Sequence, residues 1–388
     1  MFLSLAVVLF ALSLLTLVGA WHTTVWMAAI VAGEFGHYLG LLTVVLICTI
    51  GAYGAVMVGE GEPYWRPAGL ALVLLLAATG FFMSPTAFAM RIGQRIPAKL
   101  EAAFGAKPES SRVLDLSTMW IPLPGVTDVP MTTHVFTPFD WPETLRLDLY
   151  AASERNAPVV VLIHGGGWDS GDRTQISTFN HWLAGQGYHV AAIDYRLAPE
   201  YPWPAQGEDV RQAIAWLKSH AVELGIDANR IVLMGRSAGA QIAAAVAYGD
   251  ADPAIRGLIG LYGVYDMNFV WSISRPDDVL NSTKLMNQYL GGGPTPANQP
   301  DYDSASAQGL VEAGRTPPTL LLHGTIDTLC WVKHSRRLAD RLEQAEVPHA
   351  FIELPWAVHA FDYNLTGPGG QITTYAIWTF LDQLLSTE

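Results

Sequence analysis

The 388-residue sequence predicts an α/β fold with a doubly wound, mostly parallel sheet, preceded by about three transmembrane helices. Two observations lead to this prediction. Beyond residue 112, short apolar runs alternate with helical stretches, as in a parallel sheet that is covered by helices on both faces. The first 90 residues, in contrast, carry only four charged side chains: Glu34, Glu60, Glu62 and Arg66.

Three uncharged segments in this first region are long enough to cross a hydrocarbon core of roughly 30 Å, because a helix rises about 1.5 Å per residue. They place transmembrane spans near residues 2–20, 37–58 and 67–90. A cleaved signal peptide is the alternative for the first span, but it lacks a basic segment and further apolar segments follow it. The uncharged run continues to Gly33, which leaves the end of the first helix open.

Lysine and arginine positions orient these spans. The loop after the first span has neither residue type, whereas four basic residues follow the third span closely: Arg91, Arg95, Lys99 and Lys107. The positive-inside rule then places the C-terminal domain in the cytoplasm and the N-terminus outside. The predicted protein is therefore an integral, multi-pass membrane protein with membrane lipid as a partner.

Polar and aromatic residues lie beside the predicted spans. Tryptophan and tyrosine favour the membrane–water interface, and four of them fit it: Trp21, Trp26, Tyr64 and Trp65. Glu34 and His37 are three residues apart and could pair inside the membrane. Since intramembrane charge is costly, we interpret the two as a polar turn at the interface.

Residues 91–125 are predicted to be an amphipathic segment that connects the spans to the C-terminal domain or covers it. Within it, a helix is expected over 91–112, since apolar residues recur at every fourth position: Ile92, Ile96, Leu100 and Phe104. The domain itself covers residues 126–388. Residues 264–318 interrupt its alternation with many Asn, Asp, Pro and Gly residues and are interpreted as an inserted cap.

Seven strands and five helices are predicted in this domain. The strands are 145–150, 159–164, 190–194, 231–234, 257–261, 319–323 and 350–354. The helices are 174–186, 206–220, 237–248, 332–345 and 371–386.

Ser237 lies in a Gly-x-Ser-x-Gly motif at 235–239, between the apolar strand 231–234 and an alanine-rich helix. This context predicts a nucleophile elbow, in which the serine stands on a sharp turn after a buried strand. Side chains at Gly235 and Gly239 would collide with neighbouring backbone there. The motif is weak by itself, but the elbow narrows the fold class to an α/β-hydrolase.

A serine hydroxyl is a weak nucleophile and needs a base that a carboxylate orients. In this architecture the acid and then the histidine follow the serine along the chain. Asp327 and His359 each follow a predicted strand, so both lie at the carboxyl edge of the sheet, where open α/β folds bind ligands. The competing histidines and acids fall in or beside helices or come after the histidine. The expected triad is Ser237, Asp327 and His359.

A glycine run, His164-Gly-Gly-Gly-Trp168, directly follows the strand 159–163. Acyl transfer develops an oxyanion that needs donors already aimed at it, and glycines let backbone N–H groups approach closely. We therefore expect Gly166 and Gly167, with the N–H of Ala238, to form an oxyanion hole. No Lys-Ser or Lys-Thr pair follows the run, which excludes a P-loop.

These motifs together resemble the hormone-sensitive-lipase-like carboxylesterases over about residues 140–388. The resemblance rests on five stretches: 164–168, 194–200, 235–239, Asp327 and His359. It implies an esterase with the triad and oxyanion hole named above. It also implies a structural role for residues 194–200, in which Arg196 pairs with a carboxylate such as Asp209.

Three positions depart from the family pattern: Arg236 where an acid is usual, Ala240 where Gly or Asn is common, and Ala360 where Gly is usual. They remove no catalytic group, but they prevent the substrate preference from being carried over. The Gly-Gly-Gly-Trp form and the multispan N-terminus also resemble isoprenylcysteine methylesterases and kynurenine formamidases.

The sequence therefore predicts a membrane-anchored serine carboxylesterase, or lipase-like hydrolase, that acts through an acyl-enzyme. The apolar cap and the anchor indicate lipophilic esters, and Trp168, Phe269 and Trp271 are the candidate substrate-binding residues. No metal or other cofactor is expected, and Cys48 and Cys330 are interpreted as buried hydrophobes. A net charge of −13 argues against nucleic acid as a partner.

Two alternative functions use the same residues differently. One is a catalytically silent, hydrolase-like protein that binds a ligand or signals. The other is an acyltransferase or amidase with the same triad. The oligomeric state and the natural substrate stay open at this point.

Overall fold

The computed structural model describes residues 2–59, 65–105, 112–120 and 128–385. Tyr64 and Lys107, which the sequence places at the interface and among the basic residues after the third span, lie outside these residues.

Eight strands form one sheet with the order β1-β2-β4-β3-β5-β6-β7-β8. They are β1 Met131–Val135, β2 Arg146–Tyr150, β3 Ala157–Ile163, β4 His189–Ile193, β5 Ile226–Arg236, β6 Ile255–Leu261, β7 Thr319–Gly324 and β8 His349–Leu354. β2 pairs with β1 and β4 in antiparallel fashion, and the other neighbours are parallel. This is the mostly parallel sheet that the sequence predicts, with β1 as an additional edge strand.

Fourteen helices accompany the sheet in the described residues. They are α1 Phe2–Ser13, α2 Thr23–Glu34, α3 Gly36–Gly59, α4 Trp65–Gly93, α5 Ile96–Phe104, α6 Ser177–Gly185, α7 Ala205–Ser219, α8 Ala221–Leu224, α9 Ala238–Gly249, α10 Met267–Ile273, α11 Ser282–Leu290, α12 Gln299–Ala305, α13 Lys333–Gln344 and α14 Pro368–Leu385. Short 3₁₀ helices cover Leu14–Thr16, Thr118–Trp120, Ala307–Leu310 and Phe361–Tyr363.

The central strands are buried on both faces. All seven residues of β3 and all six of β7 are buried, in keeping with the apolar sequence of β3 and with the three consecutive leucines of β7. Their carboxyl ends lead into the loops that carry the expected catalytic residues. The sheet therefore brings residues from distant parts of the chain to one edge.

The first predicted span is interrupted. α1 ends at Ser13, a 3₁₀ turn follows, and α2 starts only at Thr23. The hydroxyls of Ser13 and Thr16 bond to the carbonyls of Phe10 and Ser13 at 2.7 and 2.8 Å, which is a local alternative to helix continuation. A separate α2 was not predicted, because the uncharged sequence gives no sign of the break.

Two helices of the described residues are long and apolar enough to cross a membrane, over Gly36–Ala55 and Pro67–Gly93. The apolar stretch Phe2–Thr16 is shorter. By length and hydropathy alone, the predicted three spans are thus reduced to two candidates and one shorter helix. This is weak support for membrane association, and multi-pass insertion is not confirmed by it.

The N-terminal helices pack as a bundle in which α4 contacts both α1 and α3. Close approach of α3 to α4 depends on glycine, since a Cβ on Gly36 would lie 2.5 Å from the carbonyl oxygen of Phe82. The inner face contributes Leu75, Ala78 and Phe82 to an apolar cluster. The outer faces of these helices leave many large hydrophobic side chains exposed.

The helix expected over 91–112 is divided in the structure. α4 continues to Gly93, a turn follows at 94–95, and α5 covers Ile96–Phe104. Proline in the first turn of α5 favours a new helix start, because its missing N–H is not needed there. Ile96 and Leu100 are buried against the catalytic core, so α5 covers the sheet.

The predicted cap at 264–318 lies between β6 and β7. It holds the short helices α10, α11 and α12 together with the 3₁₀ turn Ala307–Leu310. α12 and this turn contact α9, the helix that follows the serine motif. The insertion thus packs beside the carboxyl edge of the sheet.

Candidate active site

Ser237 stands on a strained turn between β5 and α9. Its backbone has φ 53° and ψ −121°, a conformation that side-chain-bearing residues rarely adopt. A Cβ on Gly235 would collide with the carbonyl of Gly239, and one on Gly239 would collide with the carbonyl of Ile163. The two motif glycines are therefore required by close backbone contacts, as an elbow demands.

Asp327 and His359 form a short, buried pair. The Nδ1 atom of His359 lies 2.6 Å from Oδ2 of Asp327. The other carboxylate oxygen accepts the N–H groups of Leu329 and Cys330 at 2.8 and 3.0 Å. Burial alone would raise the pKa of Asp327, but His359 and His323 hold it well below its usual range. Asp327 is thus a fixed carboxylate that orients the imidazole.

Ser237 and His359 border the same cleft. In the described residues, the hydroxyl of Ser237 contacts the thiol of Cys330 at 3.9 Å rather than the imidazole. The three predicted triad residues are therefore placed around one cleft by the Asp327–His359 bond and the shared lining of Ser237 and His359.

His323 is a neighbour of the triad that the sequence interpretation missed. This buried residue ends the apolar part of β7, and its Nε2 lies 3.4 Å from Oδ2 of Asp327. Its Nδ1 bonds to Oγ of Ser335 at 2.7 Å, and Nε2 also bonds to the carbonyl of Cys330 at 2.8 Å. The sequence signal was a histidine in an otherwise apolar strand.

The glycine run after β3 passes directly over the elbow. A Cβ on Gly165 would lie 3.1 Å from the carbonyl oxygen of Arg236 and 3.2 Å from Cβ of Ser237, so a side chain there would be tightly packed against the elbow. The run is held by a 2.9 Å bond from the N–H of Gly165 to Oε1 of Gln175. It is also held by His164, whose ring stacks on Tyr195 at 4.1 Å. Backbone N–H groups are thereby placed beside the serine.

Gly166 is the position in this run where a side chain is least tolerable. Its φ is 129°, and a Cβ would collide with the carbonyl oxygen of Ser170. We expect Gly166→Ala to displace the loop and to lower kcat/KM by about 10²–10³-fold, the loss typical of one oxyanion donor. Steady-state hydrolysis of a p-nitrophenyl ester measures this.

The control is Gly309→Ala, because Gly309 has open space around it and an ordinary φ. It should keep wild-type kcat/KM. An unchanged kcat/KM in Gly166→Ala, at unchanged melting temperature, would contradict the assignment of this loop to the oxyanion hole.

Two cavities meet at Ser237. The smaller, of about 90 Å³, reaches under the cap and is bordered by Trp168, Val270 and Cys330. The larger, of about 510 Å³, is bordered by His359 and by residues of the glycine run. The nucleophile therefore separates a narrow apolar pocket from a wide cleft.

The three candidate substrate-binding residues have different positions. Trp168 borders the smaller cavity, where its ring stacks on Tyr289 at 4.3 Å and its Nε1 donates to Gln241 at 2.9 Å. Phe269 and Trp271 border neither cavity. Phe269 packs on His334 at 5.1 Å, and Trp271 lies against Gly293.

The prediction for Phe269 and Trp271 is therefore corrected, because the buried face of α10 carries other residues into the cavity. Val270 and Ile273, three residues apart on one helix face, line it instead.

Arg236, one of the three departures from the family pattern, forms a buried ion pair in this chain. Its Nε donates to Oδ2 of Asp362 at 2.6 Å, and Tyr262 donates its hydroxyl to Oδ1 at 2.6 Å. The ring of Tyr262 in turn lies 4.4 Å from that of His359. The exchange of an acid for arginine is thus accommodated by the buried carboxylate of Asp362, which lies close to the predicted catalytic histidine.

The expected pairing of Arg196 is confirmed, since its Nε lies 2.8 Å from Oδ1 of Asp209. The expectation for the cysteines is only half right. Cys330 is buried, and burial raises the pKa of its thiol above the usual range, so the thiol stays protonated. Cys48, by contrast, lies exposed on α3.

α2 reaches the active site, which the sequence did not indicate. Trp26, expected at a membrane interface, donates its indole N–H to the carbonyl of His359 at 2.9 Å and borders the larger cavity. Just before α2, the carbonyl of Ala20 accepts a 2.5 Å hydrogen bond from the hydroxyl of Thr328. Thr328 directly follows Asp327, the predicted triad acid. Both triad loops thus contact the N-terminal region.

Glu34 and His37 do not form the polar turn at the interface that the sequence suggested. Glu34 is buried, and its carboxyl group accepts Nε1 of Trp356 at 3.1 Å and the N–H of Gly369 at 2.8 Å. Nε2 of His37 bonds to the carbonyl of Met119 at 2.7 Å. The two side chains fasten the N-terminal region to the rest of the protein.

The stability of this junction should depend on pH. Burial raises the pKa of Glu34 to about 8, against the bonds from Trp356 and Gly369, which lower it. The folded protein then binds more protons than the unfolded chain between about pH 4.5 and 8, so stability falls as pH rises through this window. Glu34→Gln removes this pH-dependent loss of stability. The difference in melting temperature between Glu34→Gln and wild type should therefore increase by roughly a few °C, in favour of the variant, from pH 5 to pH 8.

The measurement is thermal unfolding of the detergent-solubilised protein across that pH range. Glu101→Gln, a change at an exposed position of α5, is the control and should run parallel to wild type. Parallel curves for Glu34→Gln would show that Glu34 is already ionised in the folded protein.

Within the described part of the chain, no group of three or more histidine, cysteine, aspartate or glutamate side chains is placed to hold a metal ion. A family model described as BD-FAE matches residues 147–342, which is half of the chain. The chain belongs to the BD-FAE family. The matched residues include β2 through most of α13, with Ser237 and Asp327, whereas His359 lies beyond them.

Curated relatives of this BD-FAE family member are esterases. "Probable carboxylic ester hydrolase LipM" of Mycobacterium tuberculosis is 32% identical over 245 residues, covering 60% of this chain and 56% of the relative. "Esterase LipC" of the same organism is 30% identical over 242 residues, covering 59% of each. "Isoprenylcysteine alpha-carbonyl methylesterase ICME" of Arabidopsis thaliana is 28% identical over 214 residues, covering 51% and 49%. The chain spans less than two thirds of these relatives' lengths.

Solved structures share the fold. A bacterial heroin esterase superposes with a TM-score of 0.59 at 24% identity, covering 75% of this chain and 91% of that one. The esterase LipW from Mycobacterium marinum gives a TM-score of 0.54 at 24% identity, covering 77% and 89%. The α/β-hydrolase fold and the similarity to carboxylic ester hydrolases, both expected from the motifs, are confirmed.

Proposed function

We propose that this protein is a membrane-anchored carboxylic ester hydrolase that works through an acyl-enzyme at Ser237. The observation that carries the proposal is the 2.6 Å Asp327–His359 pair, which borders the same cleft as the strained serine elbow. Similarity to esterases over the same part of the chain supports it.

In this mechanism His359 takes the proton of Ser237 as the hydroxyl attacks the ester carbonyl carbon. The N–H groups of Gly166, Gly167 and Ala238 stabilise the oxyanion, and Asp327 stabilises the imidazolium. His359 then gives its proton to the leaving alkoxide as the ester C–O bond breaks. A water molecule activated by His359 attacks the acyl-enzyme, which releases the acid and restores Ser237.

Membrane anchoring is the second part of the proposal. Most of the large hydrophobic side chains that stay exposed in the described residues belong to the first 90 residues, where charge is nearly absent. Such a surface is unfavourable in water and favourable in hydrocarbon. We assign residues 1–90 to the membrane region, 91–125 to the connecting segment and 126–388 to the catalytic domain.

The chain path suits the proposed topology. The stretch after α1 contacts the catalytic domain through the bond between Ala20 and Thr328. α4 packs on α14, and Ala89 near the C-terminal end of α4 is buried in the same apolar cluster. The start of α3 contacts the connecting segment through the bond of His37 to Met119. α1 and α4 would then run toward that domain and α3 away from it. Arg91 and Arg95 lie on the same side, which favours a cytoplasmic catalytic domain.

The substrates are proposed to be lipophilic esters, because both cavities beside Ser237 are lined mainly by apolar surface. A catalytically silent binding protein is disfavoured by the complete triad, and none of the described contacts selects an acyl acceptor other than water. Small-molecule or lipid esters are therefore the proposed partners of the site.

The test uses the full chain in detergent. A fluorophosphonate probe should label the protein at Ser237, as located by peptide mapping, and the protein should hydrolyse members of a p-nitrophenyl ester series that runs from acetate to palmitate. Absence of both labelling and hydrolysis in folded protein would overturn the enzymatic proposal. Recovery of the protein in the aqueous phase without detergent would overturn membrane anchoring.

A further inference from the structure

α2 contributes a wall to the active-site cleft. We propose that Trp26 determines which alcohol group the enzyme accepts, and that the preferred substrates are esters of bulky, apolar alcohols with a small acyl group. The inference rests on the proposed function, since it names the substrate class of the same site.

The proton transfer from His359 to the leaving alkoxide identifies which side of the site binds the alcohol group and which binds the acyl group. The leaving alkoxide must receive its proton from His359, so the alcohol group has to lie on the side of that imidazole. Of the two cavities at Ser237, the larger is the one that His359 borders. The smaller, under the cap, extends from the serine past Cys330 and therefore receives the acyl group.

The sizes of the two cavities then indicate which ester groups the site prefers on its alcohol and acyl sides. The leaving-group cleft measures about 510 Å³, against about 90 Å³ for the acyl pocket. The cleft has an apolar lining from Trp26, Ile176, Leu280 and Tyr363. Because the acyl pocket is narrow, large groups are accommodated on the alcohol side.

Trp26 is a fixed part of this wall. Its indole N–H is bonded to the carbonyl of His359, and its ring lies 6.5 Å from the imidazole. α2 is held at one end by Ala20 on Thr328 and at the other by Glu34 on Gly369. Since both ends are fastened, the indole ring cannot move away without breaking these bonds, and it limits the shape of the alcohol group.

The experiment compares two ester series in the full-length protein. One keeps acetate as the acyl group and changes the alcohol from ethyl to hexyl to 2-(1-naphthyl)ethyl. The other keeps ethanol and lengthens the acyl chain from acetate to decanoate. Wild type should prefer the bulky alcohols in the first series, and its kcat/KM should fall with chain length in the second.

Trp26→Ala should reduce the kcat/KM ratio of naphthylethyl to ethyl acetate by about tenfold, mainly through KM, because apolar contact area is lost. The acyl-chain profile should stay within about twofold of wild type. Trp26→Phe keeps an aromatic wall but removes the N–H, so it should retain most of the alcohol preference. Met27→Ala, a change at the next, exposed position of α2, is the matched control and should keep the wild-type ratio.

Several outcomes would overturn the inference. One is a uniform loss of kcat in Trp26→Ala and Trp26→Phe with an unchanged alcohol ratio, which would make Trp26 only a support for the His359 loop. Another is a wild-type preference for long acyl chains. Failure of the proposed function itself looks different, since neither ethyl acetate hydrolysis nor fluorophosphonate labelling would then occur.

Discussion

Ser237→Ala is expected to lower kcat by about 10⁶-fold and to abolish labelling by a fluorophosphonate, because no covalent intermediate can form without the hydroxyl. The neighbouring Cys330 does not replace it. Its thiol is buried and its pKa is raised, so the nucleophilic thiolate is absent at neutral pH. Single-turnover and steady-state hydrolysis of p-nitrophenyl acetate measure the loss.

The control for this change is Ser219→Ala, at an exposed serine at the end of α7. Its hydroxyl bonds only locally, to the carbonyl of Trp216 at 2.8 Å and to Nδ1 of His220 at 2.9 Å. Ser219→Ala should retain full activity and labelling. Substantial hydrolysis by Ser237→Ala would mean that another residue carries the chemistry. Adding Cys330→Ala to the variant would then decide whether the thiol does so.

Asp327→Asn is expected to lower kcat by about 10⁴-fold while leaving KM nearly unchanged. The carboxylate accepts Nδ1–H of His359 on one oxygen and two backbone N–H groups on the other. The asparagine amide has only one oxygen that can accept hydrogen bonds. Its NH₂ group must therefore face either Nδ1 of His359 or the two backbone N–H groups. The first arrangement favours the wrong imidazole tautomer, and both remove the charge that stabilises the imidazolium.

The pH profile separates this effect from a general loss of structure. Asp327→Asn should show a lower kcat/KM whose dependence on pH differs from that of wild type. Asp140→Asn, at an exposed loop position, should match wild type. Wild-type kcat in Asp327→Asn would require a different acid partner for His359.

The positions of the candidate catalytic residues were predictable from the sequence because they depend on local patterns and on strand ends. Gly235, Ser237 and Gly239 form a turn whose steric demands can be inferred directly from the Gly-x-Ser-x-Gly motif. Asp327 and His359 each follow a strand, and parallel strands deliver such loops to one edge whatever the rest of the packing. The fold followed from the same alternation of apolar runs and helices.

Other parts of the site depend on contacts between distant segments, which periodicity does not encode. Trp26 lies within an uncharged stretch and Glu34 directly follows it, and the composition of this stretch fits a membrane helix as well as a helix on the catalytic domain. His323 stands in a strand whose apolar neighbours conceal its role. Phe269 and Trp271 were chosen for their aromatic rings, but the rotation of a seven-residue helix, α10, is set by its packing.

The hydrogen bond between Glu34 and Gly369 has a consequence for the biosynthesis of the protein. Its partner Gly369 follows it by 335 residues in the chain. At about 5–20 residues per second, a ribosome needs on the order of 20–70 s to make the intervening segment. During that interval α2 has been made, but the loop of His359 and the first turn of α14 do not yet exist. The cleft wall can therefore close only after the last helix emerges, and a nascent chain is inactive until then, even with Ser237 already folded into its elbow.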